Sequence, residues 1–167
     1  SEDPYLTGVM ATATTLGLKA GGGWGTIKHF ALNGQETHRF KINAICSERA
    51  IREIYLKAFE MAVKADSLRS IMTAYNPING IWCASNYDLN TTVLRGEWGF
   101  KGIVMTDWWA VANDEGKEPE KANTAQLMRA QNDLYMVVPE AIANTFGDNT
   151  EKALKENTVS RLEVIRS

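Results

Sequence analysis

The chain has 167 residues, enough for one ordinary domain but short of the roughly 250 that a complete eight-stranded α/β barrel needs. Its composition, 44% hydrophobic and 23% charged, predicts a soluble globular protein, and a net charge of −2 gives no support for binding nucleic acid or an anionic membrane. Two cysteines are too few for a disulfide framework, and no apolar run is long enough to span a membrane. The chain opens on Ser1 rather than Met, so we expect a processed chain or a fragment, and the compartment stays open between cytoplasmic and secreted.

The N-terminal segment predicts a helix. Ser1 is a suitable N-cap, and Pro4 is tolerated in the first turn because its missing N–H has no partner there. The run Gly21 to Gly23 ends the helix, and it is not a phosphate loop because no Gly-Lys-Ser/Thr sequence follows it. The expected apolar face consists of Leu6, Val9, Met10, Ala13, Leu16 and Leu18.

A strand is predicted next, from Thr26 to Leu32, and it carries two adjacent cationic or titratable residues. Lys28 and His29 are neighbours in sequence, and neighbouring strand residues point to opposite faces of a sheet. Both can therefore serve one ligand only where the strand ends or is bulged. Alone, each has an ordinary structural interpretation, Lys28 as a surface charge and His29 as a buried, hydrogen-bonded histidine.

Four strand-like segments are centred near residues 29, 72, 104 and 136, the last running from Leu134 to Val138. The segments between them carry helical signals, such as the capping residue Ser47 followed by apolar residues at helical spacing. Alternating strands and helices predict a parallel sheet with right-handed crossovers. Since four units do not close a barrel, the predicted fold is α/β, a partial (β/α)8 TIM-like barrel of about four consecutive parallel βα units.

The stretch from Gly102 to Ala110 carries the strongest functional signal. Ile103, Val104 and Met105 form a continuous apolar run, which is typical of a parallel strand buried on both faces. Asp107 then stands at the carboxyl end of that strand, the edge at which parallel α/β folds bind ligands. A carboxylate beside indole rings suits the stabilisation of positive charge on a sugar ring, although an Asp that caps the next turn would show the same local pattern.

Several motifs, in register over nearly the whole chain, resemble glycoside hydrolase family 3, and the segment that ends in Asp107 resembles the nucleophile motif of that family's β-glucosidases. The matching segments are Ser1-Glu-Asp-Pro-Tyr-Leu-Thr-Gly8, Lys28-His-Phe-Ala31, Gln35-Glu36, Ser47-Glu-Arg-Ala50, Arg52-Glu-Ile-Tyr55, Met72-Thr-Ala-Tyr-Asn76, Arg95-Gly-Glu-Trp-Gly-Phe100 and Thr106-Asp107-Trp108. The resemblance implies that residues 1–167 are the C-terminal part of an incomplete (β/α)-barrel domain that acts on β-linked glycosides with retention of configuration.

The resemblance also implies roles for individual residues. Asp107 matches the catalytic nucleophile, and Lys28 and His29 match the pair that hydrogen-bonds sugar hydroxyls. Tyr75 matches a strand-end tyrosine close to the nucleophile. Two residues are expected to line the sugar pocket, Trp108 as an aromatic wall and Met72 as a less specific contact. Glu36 and Arg39 are expected to be structural partners within the loop that follows Lys28 and His29.

Retaining hydrolysis needs a second carboxyl group, about 5.5 Å from the nucleophile, as general acid/base. No residue in this sequence matches it, and in similar family members it comes from a separate α/β sandwich domain. The expected partners are therefore a small-molecule β-glycoside or oligosaccharide, the remaining barrel strands and such a domain. No step of this chemistry requires a metal or another cofactor.

Two alternatives stay open. The chain could be a catalytically inactive sugar-binding or structural module that self-associates, because part of a barrel exposes open sheet edges and apolar surface. The sugar specificity could also be of the β-xylosidase type, because much of the expected subsite lies outside the sequence.

Overall fold

The computed structural model describes residues 1–136, 142–145 and 147–167. None of the helices in this part of the chain is long and apolar enough to cross a membrane. In chain order the elements are α1 (Pro4–Ala20), β1 (Thr26–Phe30), α2 (Glu48–Ala50), a first π-helix (Ile51–Tyr55), α3 (Lys57–Lys64), β2 (Ser70–Thr73), β3 (Pro77–Ile78), β4 (Ile81–Trp82), a 3₁₀ helix (Cys83–Ser85), a second π-helix (Asp88–Glu97), β5 (Ile103–Met105), α4 (Thr124–Arg129), α5 (Thr150–Lys155) and α6 (Arg161–Arg166).

The main sheet has the strand order β1-β2-β5, and both pairings are parallel. Helices lie between these strands in the chain, so the predicted α/β fold built of parallel βα units is confirmed. Of the predicted fourth strand, Leu134 forms a parallel bridge with Met105, whereas Val137 and Val138 lie outside the described residues. Within the described part of the chain the sheet does not close into a barrel.

One face of the sheet is the core. Phe30, Ile71 and Val104 come from the three strands and are fully buried against residues of the flanking helices, including Leu56 and Leu94. The opposite face is open, because Ile103 in β5 has 46% of its surface exposed. The prediction that Ile103 to Met105 are buried on both faces is therefore wrong for this chain, since its helices cover one side of the strand only.

The first helix differs from the prediction in its cap. Asp3, not Ser1, is the N-cap, and its Oδ1 accepts hydrogen bonds from the backbone N–H groups of Tyr5 and Leu6 at 2.8 and 3.0 Å. Asp3 precedes Pro4, and the residue before a proline favours the extended backbone that an N-cap requires. The Ser1 hydroxyl accepts a hydrogen bond from Asp3 N–H instead.

The packing face of α1 also differs from the prediction. Leu6, Val9, Met10, Leu16 and Leu18 are exposed, and the helix instead buries Gly8 and Thr15. The Thr15 hydroxyl donates a hydrogen bond to Ser67 Oγ at 2.6 Å, and a Cβ at Gly8 would lie 2.3 Å from Met61 Sδ. The helix therefore approaches α3 through its small residues, a contact that a count of apolar residues does not detect.

The strand β5 is anchored at its start by a partly buried ion pair. Arg95 Nη2 lies 2.8 Å from Asp133 Oδ2, and the same carboxylate oxygen accepts a hydrogen bond from Val104 N–H at 2.7 Å. Arg95 also donates to the carbonyl oxygen of Gly102 at 3.2 Å. Carboxylates that accept several charge-assisted or backbone hydrogen bonds hold their partners in place, so the entry into β5 is fixed.

Gly102 provides a test of this packing. An added Cβ would lie 2.3 Å from the carbonyl oxygen of Arg69, which itself accepts the Ile103 N–H at 2.8 Å. Because a paired backbone carbonyl cannot move aside, Gly102→Ala should lower the free energy of unfolding by about 2–3 kcal/mol. The measurement is urea denaturation followed by tryptophan fluorescence.

The matched control is Gly17→Ala in α1, where an added Cβ meets nothing within 4 Å. This substitution should raise the free energy of unfolding by about 0.5–1 kcal/mol, because alanine loses less backbone entropy in a helix. Equal denaturation midpoints for the two variants would contradict the packing described around Gly102.

Candidate active site

Asp107 lies two residues beyond the end of β5 and is 6% exposed. Its Oδ1 accepts a hydrogen bond from the backbone N–H of Trp108 at 2.7 Å. The preceding residue, Thr106, makes two hydrogen bonds to the segment after Asp133. Its N–H donates to Leu134 O at 3.0 Å, and its Oγ1 accepts from Met136 N–H at 2.9 Å. The carboxylate is therefore fixed at the carboxyl edge of the sheet, where it was predicted.

His29 reaches Asp107 from β1, across the intervening strand β2. Its Nε2 lies 3.1 Å from Asp107 Oδ2. The pairing of β1 with β2 shifts register between Ile27 and Phe30, and the Lys28–His29 peptide bond is cis. This shift of register meets the condition under which Lys28 and His29 can serve one ligand, and it coincides with the contact between His29 and Asp107.

The pKa of His29 lies below its ordinary value of 6.5. Burial is the largest cause, because removing the imidazole from water disfavours its charged form. The negative charge of Asp107 acts in the opposite direction, while the positive charges of Lys28 and Arg39 add to the lowering. The lowered pKa favours the neutral imidazole at pH 7, and its Nε2 lies in close contact with Asp107 Oδ2.

Tyr75 brings a third side chain to the carboxylate from the segment after β2. The pKa of Tyr75 is raised to about 12, chiefly by burial and then by the hydrogen bond to Asp107 and the negative charge of that residue. The ring packs against Phe40, with the centroids 4.5 Å apart. The phenol thus stays protonated and is a neutral donor to Asp107.

The other predicted site residues lie around these three. Lys28 is exposed on β1 and forms no hydrogen bond or salt bridge within the described residues, although its charge acts on His29. Met72 is half-buried and pairs with Met105 in the parallel sheet. Trp108 is 47% exposed. The structure thus joins Asp107, His29 and Tyr75 directly, whereas the substrate contacts expected of the other three residues stay predictions.

Arg39 has a larger part in this site than the sequence indicated. Its predicted pairing with Glu36 is present, with Nη1 2.7 Å from Oε2. The guanidinium also lies 4.8 Å from the centre of the Tyr75 ring, a distance typical of a cation–π contact. No local sequence pattern identifies Arg39 as a site residue. The only signal is that a cationic residue lies in the polar loop that follows His29.

A metal centre was not predicted here. Among residues 1–136, 142–145 and 147–167, no three His, Cys, Asp or Glu side chains are grouped so as to hold a metal ion. The candidate site consists of one buried carboxylate that accepts hydrogen bonds from the Trp108 backbone N–H and the Tyr75 phenol and lies 3.1 Å from the His29 imidazole nitrogen.

Comparison with known proteins places this geometry in a family. The family model described as the glycosyl hydrolase family 3 N terminal domain matches residues 1–166. A protein of Ruminococcus albus named Beta-glucosidase is 52% identical over 167 residues, which is all of this chain and 17% of that protein.

The comparison with solved structures gives the same result as the comparison of sequences. A novel beta-glucosidase from Paenibacillus barengoltzii has a TM-score of 0.96 and 60% identity, covering 99% of this chain and 18% of that one. Beta-glucosidase 3B from Thermotoga neapolitana, solved in complex with glucose, has a TM-score of 0.81 and 41% identity, covering 98% of this chain and 22% of that one. The chain therefore spans about a fifth of the length of these relatives, and the fold it shares with them is that of a TIM-barrel-type domain. On the family match and these identities, the chain belongs to glycosyl hydrolase family 3.

Proposed function

We propose that this chain is the nucleophile-bearing part of a β-glucosidase-like enzyme that hydrolyses terminal β-linked glucosides with retention of configuration. The observation that carries the proposal is the buried Asp107 carboxylate, which accepts a hydrogen bond from Trp108 N–H and lies 3.1 Å from His29 Nε2 at the carboxyl edge of a parallel sheet. The Ruminococcus albus and Paenibacillus barengoltzii relatives, both named as β-glucosidases, support the substrate class.

In the first step, a carboxylate oxygen of Asp107 attacks the anomeric carbon, and the bond to the leaving-group oxygen breaks as that oxygen takes a proton from the general acid. A glycosyl ester on Asp107 results. In the second step, water attacks the same carbon after giving its proton to the same group, which restores the Asp107 carboxylate and releases the sugar. Two inversions at one carbon give net retention.

The donors around Asp107 suit a nucleophile. A charged imidazolium would form an ion pair with the carboxylate and withdraw electron density from the attacking oxygen. Burial favours the neutral form of His29, and the raised pKa keeps Tyr75 protonated, so two neutral side chains contact the carboxylate instead. They orient the carboxylate without cancelling its charge.

The remaining roles are those that the resemblance to the family implies. Lys28 and His29 hydrogen-bond hydroxyls of the bound sugar, Trp108 stacks on its C–H face, and Met72 lines the pocket on the open side of the sheet. Residues 1–167 form the C-terminal part of a barrel domain in this proposal. The other barrel strands complete the subsite, and an α/β sandwich domain supplies the acid/base, so the test of the nucleophile uses the intact protein that contains this segment.

Removing the nucleophile tests the central role. Asp107→Gly in the intact protein should lower kcat for an aryl β-glucoside on the order of 10⁴-fold. Sodium azide should restore turnover and give α-glucosyl azide, because a small anion in the vacated space attacks the same face of the anomeric carbon. Product configuration is read by proton NMR.

The matched control is Glu115→Gln, which removes a carboxylate from an exposed position in the loop after the two tryptophans. It should leave both kcat and azide dependence unchanged. A fully active Asp107→Gly protein, or one that azide does not rescue although it still binds glucose, would refute the nucleophile assignment.

The isolated 167-residue chain should show negligible hydrolysis of the same aryl β-glucoside, because it lacks the acid/base and most of the subsite. The comparison is initial rates at equal molar concentration against the intact protein, with the Asp107→Asn chain as background. Turnover by the isolated chain that disappears in Asp107→Asn would show that the segment assembles a complete site by itself.

The titration of His29 is accessible by NMR, since the chain contains only two histidines and a His38→Gln variant identifies the signal. The midpoint for His29 should lie below 6.5, and it should fall further in Asp107→Asn because the charge that raises this pKa is removed. A midpoint above 6.5 would show that the contact is an ion pair, and a rise in Asp107→Asn would show that the charge of Asp107 does not raise the pKa of His29.

The lowered pKa of His29 also determines how the stability of the folded chain changes with pH. Folding favours the neutral form of His29, so its contribution to stability is fully present above pH 6.5, the unfolded value. It is lost as the pH falls from that value through the lower pKa of the folded state. The wild-type chain should therefore lose more stability on acidification over this window than a His29→Asn chain.

A further inference from the structure

We infer that Asn33, in the loop after β1, is a site of spontaneous deamidation, at which the backbone nitrogen of Gly34 displaces the side-chain amide and a carboxylate results. The modification itself needs no catalytic activity. Its effect on hydrolysis rests on the proposed function and deepens it, because the new charge faces Glu36, whose partner Arg39 lies over the Tyr75 ring.

The reaction has two steps and uses only water from the solvent. The Gly34 backbone nitrogen gives up its proton to a solvent base and bonds to the Asn33 Cγ, while the bond from Cγ to the side-chain nitrogen breaks and that nitrogen leaves as ammonia. Water then adds to one of the two carbonyl carbons of the resulting five-membered succinimide and opens the ring. The products are aspartate or isoaspartate at residue 33, and nothing is oxidised or reduced.

Glycine after asparagine favours this reaction. The sequence contains two such pairs, Asn33-Gly34 and Asn79-Gly80. Glycine has no Cβ to obstruct the approach of its nitrogen to the asparagine side chain, and its backbone reaches conformations that other residues avoid. The local chemistry is therefore the same at both pairs, and the folded structure decides which of them reacts.

Asn79 is held at both ends of its amide. Its Oδ1 accepts a hydrogen bond from Cys46 N–H at 3.0 Å, and its Nδ2 donates to Cys46 O at 2.9 Å. The attacking group is also engaged, because Gly80 N–H donates to Asn43 Oδ1 at 2.9 Å. All three bonds must open before a ring can form, so the structure protects Asn79.

Asn33 has much less to hold it. Within the described residues its side chain makes one hydrogen bond, from Nδ2 to Glu36 Oε1 at 3.2 Å. Gly34 N–H donates to Leu32 O at 2.9 Å, across a turn of only three residues. Gly34 is exposed, and a Cβ added there would meet nothing within 4 Å. Exposed loops open locally at little cost in free energy, so the Gly34 nitrogen can reach the Asn33 Cγ.

The charge created at residue 33 acts on the active site through Glu36. The Asn33 amide donates to the Glu36 carboxylate, whereas a carboxylate in its place can only accept and repels Glu36. Glu36 Oε2 holds Arg39 Nη1 at 2.7 Å, and the Arg39 guanidinium lies 4.8 Å from the centre of the Tyr75 ring. Displacing Glu36 therefore disturbs the cation that packs on a hydrogen-bond donor to Asp107.

Deamidation is measured in the intact protein that contains this segment, stored at mildly alkaline pH and sampled over days. Peptide mapping should show a mass gain of about 1 Da at residue 33, as both aspartate and isoaspartate, because OH replaces NH2. Asn79 in the same molecules is the internal control and should react at least about tenfold more slowly, because its hydrogen bonds must open first. Equal rates at the two positions, or an unmodified residue 33, would overturn the inference.

The same two asparagines in the digested peptides should deamidate at similar rates, since the fold no longer protects Asn79. A difference as large as in the folded protein would contradict protection by the contacts with Cys46 and Asn43.

Gly34→Ala is the matched variant, because the added Cβ has free space and the φ angle of Gly34 lies outside the left-handed region. It should slow deamidation of Asn33 by about tenfold, because a Cβ obstructs the approach of the nitrogen. Thermal unfolding and the activity of the fresh protein should not change. An unaltered rate of deamidation would contradict attack by this nitrogen.

Activity shows the consequence. Asn33→Asp should lower kcat/KM for an aryl β-glucoside by about threefold, because exposed ion pairs contribute modestly to the contacts that they hold. Asn33→Ala, which removes the amide without adding charge, should lose less. Aged wild type should lose activity in proportion to its modified fraction, whereas aged Gly34→Ala should keep its activity. A fully active Asn33→Asp protein, or equal losses in the two aged proteins, would overturn the effect on hydrolysis.

Failure of this inference and failure of the proposed function give different results, because peptide mapping detects the modification whether or not the protein hydrolyses glucosides. A wild-type protein that hydrolyses the glucoside but keeps Asn33 intact overturns the inference and leaves the proposed function standing. A wild-type protein that deamidates at residue 33 but hydrolyses no glucoside supports the modification and overturns the proposed function, together with the effect on hydrolysis.

Discussion

The close contact between His29 Nε2 and Asp107 Oδ2, which lie 3.1 Å apart, is the contact on which the site depends. It joins the ends of β1 and β5, which are not neighbours in the sheet, and Tyr75 reaches the same carboxylate from the strand between them. Three strand ends therefore meet at one buried oxygen-bearing group. Any shift of one strand along another would separate these side chains. The geometry of the site therefore requires the observed register of the parallel sheet.

The register is set at the other end of the strand by a different group of residues. Asp133 accepts hydrogen bonds from Arg95 and from Val104 N–H, and the close contact between Gly102 and the carbonyl of Arg69 leaves no space for a side chain. Thr106 is tied on both its backbone and its hydroxyl to the segment that follows Asp133. These contacts hold the start of β5 and the residue next to Asp107, and they explain how a short three-residue strand can hold the Asp107 carboxylate in place.

The sequence was sufficient to predict the parts of this arrangement that repeat along the chain. Alternating strands and helices give the parallel sheet, and an acid directly after an apolar run gives the position of Asp107 at its edge. The contact face of α1 was not predictable in this way, because Gly8 and Thr15 pack through close approach rather than through apolar area. The cap at Asp3 was missed because Ser1 is an equally good capping type, and only the extended backbone before Pro4 decides between them.

Contacts between distant residues were the least predictable. The guanidinium of Arg39 lies over the Tyr75 ring, 36 positions away in the sequence, and no periodicity or motif spacing indicates such a pairing. The lowered pKa of His29 was not predictable from the sequence either, because it follows mainly from burial that only the folded chain produces. The chemistry of the site, a carboxylate with neutral donors, therefore became visible only with the structure.

The most direct test of this account is covalent trapping in the intact protein. A 2-deoxy-2-fluoro-β-glucoside with a dinitrophenolate leaving group forms the glycosyl ester, but the fluorine slows its hydrolysis, so the intermediate accumulates. Peptide mass mapping should place one fluoroglucosyl group on Asp107, with loss of activity in step with labelling. Labelling of a different carboxylate, or rapid turnover of the parent glucoside with no trapped ester on Asp107, would contradict it.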